Sequence, residues 1–190
     1  MPGREDLAVE LVDEAGAAIG SCSVAEAHTA PGRTHRAFSV LLRDGAGQVL
    51  LQRRAAVKTR FAGRWSNTCC GHPGPGEDVA GAAARRLTAE MGLSAGQTTP
   101  LTEVGVLPYQ ASDPVSGRVE REWDHVLVAT LTGGIPVPDP AEVSEYAWVW
   151  PAEVRAGIAA RPGDYSPWLP GVLDVAGDST AAVSGPRPGV

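Results

Sequence analysis

Between Asn67 and Leu93 the chain reads Asn-Thr-Cys-Cys-Gly-His-Pro, then a Gly/Pro loop, then a segment with helical periodicity. Val79, Ala83, Leu87 and Met91 recur every fourth residue, which puts them on one face of a helix. Glu77 and Asp78 stand at its start, where the helix dipole favours acids, and Gly92 supplies a stop. The frame Gly71-x5-Glu77-x7-Arg85 closes on Glu90-Met91-Gly92-Leu93, a loop-helix-loop with a cysteine and a histidine fused to its front. Its helix presents few acids toward any metal, because Arg86 and Ala89 flank the single Glu90.

The rest of the chain supplies strands to pack against that helix. Leu7 to Val12 and Ala17 to Ser21 read as a pair joined by the Asp13–Gly16 turn, and His35 to Leu42 and Gln48 to Arg53 as a pair joined by Asp44–Gly47. Trp65 to Cys70 reads as one short strand. Leu101 to Gln110, Val119 to Leu131 and Glu145 to Trp150 follow, the first two linked by the Asp113–Gly117 turn. Helices are expected over Ala152–Ala160 and around Ser166–Val175. Mixed strands with few helices give an α+β sandwich, with residues 1–176 as one domain and 177–190 as a Gly/Ser/Pro/Ala tail without order.

Sixteen basic residues against 22 acidic ones argue against a nucleic-acid partner. No run has membrane-spanning length and no secretory leader is visible, so no membrane association and a cytoplasmic location are expected. Cys22, Cys69 and Cys70 are an odd count with two adjacent, which suits a reducing compartment and no disulfide framework. Against the acidic balance, Arg53, Arg54, Lys58, Arg60 and Arg64 fall in a dozen residues without an acid, a cluster suited to phosphate.

Two groups of residues carry chemistry. Three of the four histidines, His28, His35 and His72, lie in Gly-containing segments, where sites occur more often than in strand interiors. Glu120 and Glu122 are two apart on a strand and share a face, so their carboxylates repel unless a cation or proton lies between them. Together these five side chains make a five- or six-coordinate site for a divalent ion such as Mn²⁺ or Zn²⁺. In an extended segment Cys70 and His72 face one way and Cys69 the other. Cys70 is therefore the candidate reactive thiol and Cys69 a small buried hydrophobe.

His28-x6-His35, Asn67-x-x-Cys70-Gly71-His72-Pro73, the altered helix box, Tyr109, Glu120-x-Glu122 and Ser166-Pro167-Trp168 occur in one order across His28 to Trp168. In that combination the chain resembles the type I isopentenyl-diphosphate isomerases of the Nudix superfamily. The resemblance implies a Nudix-type α/β/α sandwich with mixed sheets, and an activity that interconverts isopentenyl and dimethylallyl diphosphate without a flavin. By similarity His28, His35, His72, Glu120 and Glu122 would hold Mn²⁺ or Zn²⁺, and Glu90 a Mg²⁺ that grips the substrate diphosphate. Arg54, Lys58 and Arg86 would neutralise phosphate oxygens. Cys70 and Glu122 would move the protons, with Tyr109 beside the carboxylate, and Trp168 would shield the carbocation. The first histidine is preceded four residues earlier by Val24, where some members place a lysine, so no diphosphate contact is expected there. His125, Trp65, Trp123, Trp148 and Trp150 read as structural. The expected partner is a small diphosphate, and the expected state a monomer or weak homodimer.

Two rivals remain open at this level. A Nudix diphosphohydrolase acting on a nucleotide-type diphosphate would need the missing box glutamates. A non-enzymatic module with a structural zinc would leave Cys70 without a purpose.

Overall fold

The structure is a computed structural model and describes residues 3–177; the expected tail lies, apart from Gly177, outside the described residues. Nine strands form one mixed sheet system, β1 (Ala8–Val12), β2 (Ala18–Ser23), β3 (His35–Arg43), β4 (Val49–Arg54), β5 (Trp65–Ser66), β6 (Cys69–Gly71), β7 (Thr102–Ser112), β8 (Val119–Thr130) and β9 (Val143–Val149). Four helices accompany them, α1 (Val24–Ala27), α2 (Val79–Met91), α3 (Pro151–Ala160) and α4 (Leu169–Val175). None of the described helices is long and apolar enough to cross a membrane.

β3 is the hub. It runs parallel to β8 along its whole length, from His35 opposite Glu122 to Arg43 opposite Thr130. It pairs antiparallel with β6 (Ser39 opposite Cys70) and touches β1 at Leu11 and β4 at Val49. Alternation along β3 then divides two cores. Phe38, Val40 and Leu42 point toward α2 and pack with Cys69, Ala83, Leu87 and Met91. Leu41 points the other way and packs with Val126, Trp168, Leu169 and Val172 around α4. Helices thus cover both faces of the sheet system, as the expected sandwich requires.

Three expectations need correction. The segment Trp65–Cys70 is not one strand: β5 pairs with β4, whereas β6 pairs with β3. The break is at Asn67 and Thr68, both fully buried, whose side chains take over main-chain partners. Asn67 Nδ2 donates to the Cys69 and Val40 carbonyls at 2.8 and 3.3 Å, and Thr68 Oγ1 both donates to Leu50 O at 2.7 Å and accepts from Leu42 N at 2.8 Å. The short helix α1 was not expected, since four residues are too few for a periodic signal. α4 starts at Leu169 rather than Ser166, with Ser166 N and Oγ both donating to Trp65 O.

α2 follows its sequence closely. Asp78 is the N-cap and accepts from Gly81 N at 2.7 Å, and Gly92 ends the helix in the left-handed conformation at φ 67°. A side chain at Gly92 would also strike the Val137 carbonyl at 2.6 Å. Replacing Asp78 by Ala should cost about 1 kcal/mol through loss of the cap, read as a lower urea midpoint with turnover unchanged.

Candidate active site

One rung of the sheet assembles the first cluster. Leu11, His35, Glu122 and Tyr109 lie side by side on neighbouring strands β1, β3, β8 and β7. Glu120 lies two residues earlier on the same face of β8. His28 caps α1, and its carbonyl accepts from Val119 N at 2.9 Å, which ties that loop to the start of β8. His72 follows β6 directly. Sequence positions nearly a hundred residues apart therefore converge: the three imidazole centroids stand 4.7, 4.9 and 5.1 Å apart.

The rings are aimed. His28 Nδ1 lies 2.7 Å from Val24 O and His35 Nδ1 2.7 Å from Arg33 O. A carbonyl only accepts, so each Nδ1 carries hydrogen and each Nε2 faces the centre. One potential donor atom from each of His28, His35, His72, Glu120 and Glu122 lies within 4.8 Å of the others, so these residues could hold a metal ion. The buried Nε2 atoms of His28 and His35 and Oε2 of Glu120 lack an aligned hydrogen bond, although His28 Nε2 is only 2.7 Å from Glu120 Oε2. Close approach without hydrogen-bond alignment is how ligands of a common cation sit, and an N₃O₂ donor set suits Mn²⁺ or Zn²⁺.

Without a metal, a proton takes over part of the cation's role. Burial works against charge on His28, but the adjoining Glu120 and Glu122 carboxylates outweigh it and hold its pKa up to about 9. Burial dominates at His72 and lowers it to about 3. Glu122 is lowered well below the carboxylate range despite its burial, because three imidazoles face it. It also accepts from Tyr109 Oη at 2.5 Å through Oε2 and lies 3.0 Å from His72 Nε2 through Oε1. Burial next to these carboxylates pushes the Tyr109 hydroxyl well above its ordinary value, so it stays protonated and donates.

His72, Glu120 and Glu122 border a cavity of about 290 Å³, which Cys70 lines together with Arg54, Lys58, Arg86, Tyr109 and Trp168. As alternation predicts, Cys69 packs under α2 and Cys70 toward α4. Burial pushes the Cys70 thiol up to about 11, with Arg54 pulling the other way from 3.5 Å. At neutral pH the sulfur therefore keeps its proton. Trp168 is held edge-on to Phe61 and tilted to Tyr109, and its Nε1 donates to Asn67 Oδ1 at 2.9 Å. The Arg54 guanidinium lies 5.6 Å from that ring's centre, a cation already on the indole.

The second cluster surrounds Glu90, which is 1% exposed at the end of α2. Gln52 Nε2 donates to its Oε2 at 3.0 Å; Lys58 Nζ lies 3.4 Å from Oε1, and Arg86, one turn back on α2, pairs with the same oxygen. A side chain at Gly71 would sit tightly against Phe38 at 3.0 Å and the Arg86 stem at 3.3 Å. Glu77 and Arg85 pair with each other, and Glu77 Oε2 accepts from Gly74 N at 2.7 Å, so these two box residues clamp the loop rather than face the cavity.

Of the basic cluster, Arg54, Lys58 and Arg60 line the cavity, Arg60 bridging Glu5 and Glu120 there, whereas Arg53 pairs with Glu145 at the surface. Val24 lines the cavity with an apolar side chain. His125, half-buried, lies 2.9 Å from Glu103 through Nδ1. Sequence reasoning missed Glu142, which is 5% exposed and pairs with Lys58 and Arg86, and Asp124, which accepts from Ser39 Oγ at 2.8 Å. Asp124 had a signal, since it continues the period-two run of Glu120 and Glu122. Glu142 follows a Pro-rich loop with no pattern to mark it.

The NUDIX domain family matches residues 33–169. A Nocardia farcinica protein named isopentenyl-diphosphate Delta-isomerase is 64% identical over 168 residues, 88% of this chain and 93% of that one. The chain belongs to the isopentenyl-diphosphate Delta-isomerase family. A Streptomyces griseus isomerase of the same name is 48% identical and covers 97% of this chain and 91% of its own. Among solved structures, a Deinococcus radiodurans protein superposes with a TM-score of 0.69 at 19% identity, covering 88% of this chain and 98% of its own. A Nudix hydrolase from M. Smegmatis superposes at 0.58 and 22% identity, covering 94% and 98%. At such identities these two establish the Nudix fold and nothing about chemistry. The isomerase family and the Nudix fold expected from the motifs both stand.

Proposed function

We infer that the protein interconverts isopentenyl diphosphate and dimethylallyl diphosphate by adding a proton at one end of the alkene and removing one from the other. The observation that carries this reading is the Cys70 thiol and the Glu122 carboxylate on the walls of one cavity that also exposes Arg54, Lys58 and Arg86. Naming of relatives as isomerases supports it over diphosphate hydrolysis, as does Arg86 standing where a hydrolase needs an acid.

Arg54, Lys58 and Arg86 bind the diphosphate and so fix the alkene between the two proton carriers. Glu90 would hold Mg²⁺, and His28, His35, His72, Glu120 and Glu122 would hold Mn²⁺ or Zn²⁺. These ions, when bound, supply positive charge for the phosphate oxygens and for the Glu120–Glu122 pair. Cys70 and Glu122 exchange protons with the substrate: the terminal alkene carbon gains one, the charge rests on the tertiary carbon, and the neighbouring carbon loses one. Tyr109 orients the Glu122 carboxylate. Trp168 presents an aromatic wall that excludes water and faces the cation, an interaction of about 2 kcal/mol when desolvated. No step calls for a flavin.

Incubating the purified protein with isopentenyl diphosphate, Mg²⁺ and Mn²⁺ tests the reading. Dimethylallyl diphosphate is the expected product, and release of inorganic phosphate without it favours the hydrolase. The metal cluster has its own check. The folded pKa of His28, about 9, lies above its ordinary 6.5. The metal-free protein therefore has the full benefit of the His28 proton below pH 6.5 and loses it as pH rises toward 9. Thermal midpoints of the metal-free form should fall across that window, and Mn²⁺ or Zn²⁺ should restore them, with metal affinity rising as the proton leaves. A midpoint that ignores both pH and metal there would count against the ligand set.

A further inference from the structure

We propose that Glu142 sets the magnesium requirement of the diphosphate seat, by neutralising Lys58 and Arg86 so that the cavity accepts a diphosphate only as its divalent-metal complex. The inference rests on the reading of Arg54, Lys58 and Arg86 as that seat.

Glu142 is built into place. Its backbone N donates to Asp139 O and its carbonyl accepts from Ala55 N, both at 2.9 Å, while Asp139 N and Val137 N donate to Glu90 O and Met91 O at the end of α2. Fixed in this way, its Oε2 pairs with Lys58 and lies 3.4 Å from Arg86 Nη2, the same two cations that Glu90 Oε1 engages. The carboxylate lines the cavity, and although burial opposes its charge, Lys58 and Arg86 hold its pKa low, so it stays ionised.

Charge balance then decides what enters. Arg54, Lys58 and Arg86 against Glu90 and Glu142 leave a single net positive charge, and Arg60, which also lines the cavity, is offset by its own partners Glu5 and Glu120. Arg4 also pairs with Glu142, but its side chain is half exposed and screened by water, so it weighs less. A diphosphate monoester carries about three negative charges at neutral pH, and its Mg²⁺ complex about one. The bare anion leaves about two buried negative charges uncompensated, whereas the complex leaves none. With Glu142 neutral, the seat would carry two positive charges, and the bare anion and the complex would be mismatched about equally. Pairing with one acid is enough to hold a cation in position; the second acid on Lys58 and Arg86 is what tunes the charge.

The test is calorimetric titration of the full chain with inorganic pyrophosphate, with and without Mg²⁺, for the wild type, Glu142→Gln and Glu142→Asp. The wild type should bind pyrophosphate much more tightly when Mg²⁺ is present than without it. Glu142→Gln should bind bare pyrophosphate at least about tenfold tighter than the wild type does, and the advantage conferred by Mg²⁺ should shrink accordingly. Glu142→Asp, which keeps the charge, should restore the wild-type ratio even if its shorter reach weakens both affinities. If the ratio of Mg²⁺-dependent to bare affinity is unchanged in Glu142→Gln, or both affinities fall together, Glu142 is only a positioning residue and the proposal is overturned while the seat stands. If the wild type binds pyrophosphate in neither condition, the seat itself falls and the proposal with it.

Discussion

Glu122→Gln is expected to lower turnover by at least about 10³-fold, and excess metal should not rescue it. The carboxylate meets His28 and His35 at 3.8 and 3.6 Å and His72 at 3.0 Å, and it accepts from Tyr109 at 2.5 Å. An amide keeps the volume but loses the charge that complements three imidazoles, and it can no longer take a proton. Glu120→Gln is the informative comparison. Glu120 contacts His28 and Arg60 but not Tyr109, so its loss should weaken metal retention while leaving the proton carrier intact. Turnover of Glu120→Gln should therefore recover with added Mn²⁺ or Zn²⁺. Recovery of Glu122→Gln under the same titration would reduce Glu122 to a metal ligand and remove it from proton transfer.

Cys70→Ala should cost about 10²- to 10⁴-fold in kcat with little change in the affinity for Mg²⁺ and pyrophosphate. The sulfur's polar contact is with Arg54 at 3.5 Å, which keeps its bonds to the Arg60 carbonyl when the thiol is gone. There is a matching pH signature. A thiol raised from 9.0 to about 11 favours the folded state while protonated, so that contribution is complete below pH 9 and is lost toward pH 11. Cys70→Ala should lack this alkaline loss in chemical denaturation. Cys69→Ala should do the reverse of Cys70→Ala, lowering stability by about 1 kcal/mol while turnover persists, since Cys69 is fully buried beneath α2. Equal turnover losses in the two variants would sink the division of labour between the adjacent cysteines.

The opposite packing of the two cysteines was legible in the sequence because strand alternation is local: neighbours on β6 must face opposite ways. The same holds for Glu120 and Glu122 on β8, and for α2, whose four-residue apolar period, acidic start and Gly92 stop all belong to the helix and the residues beside its two ends. The His, Cys and Glu motifs were also readable, through their order along the chain. Pairings between distant segments were not. Nothing near Trp65 says that β5 and β6 part company at Asn67, because the reason is a pair of buried side chains bonding to β3 and β4.

The opening segment, Asn67 to Leu93, shows the same boundary. By itself the sequence determined the loop-helix-loop, the face that Cys70 shares with His72 opposite Cys69, and the scarcity of acids beside Arg86, all of them local features of residue identity and spacing. Only the tertiary structure decided that Glu77 and Arg85 clamp a loop, that Gln52 steadies Glu90, and that Glu142 shares Lys58 and Arg86 with it. These are electrostatic contacts between elements up to 84 residues apart. Their partners are chosen by which loop ends dock on α2, and no periodicity in the chain encodes that docking.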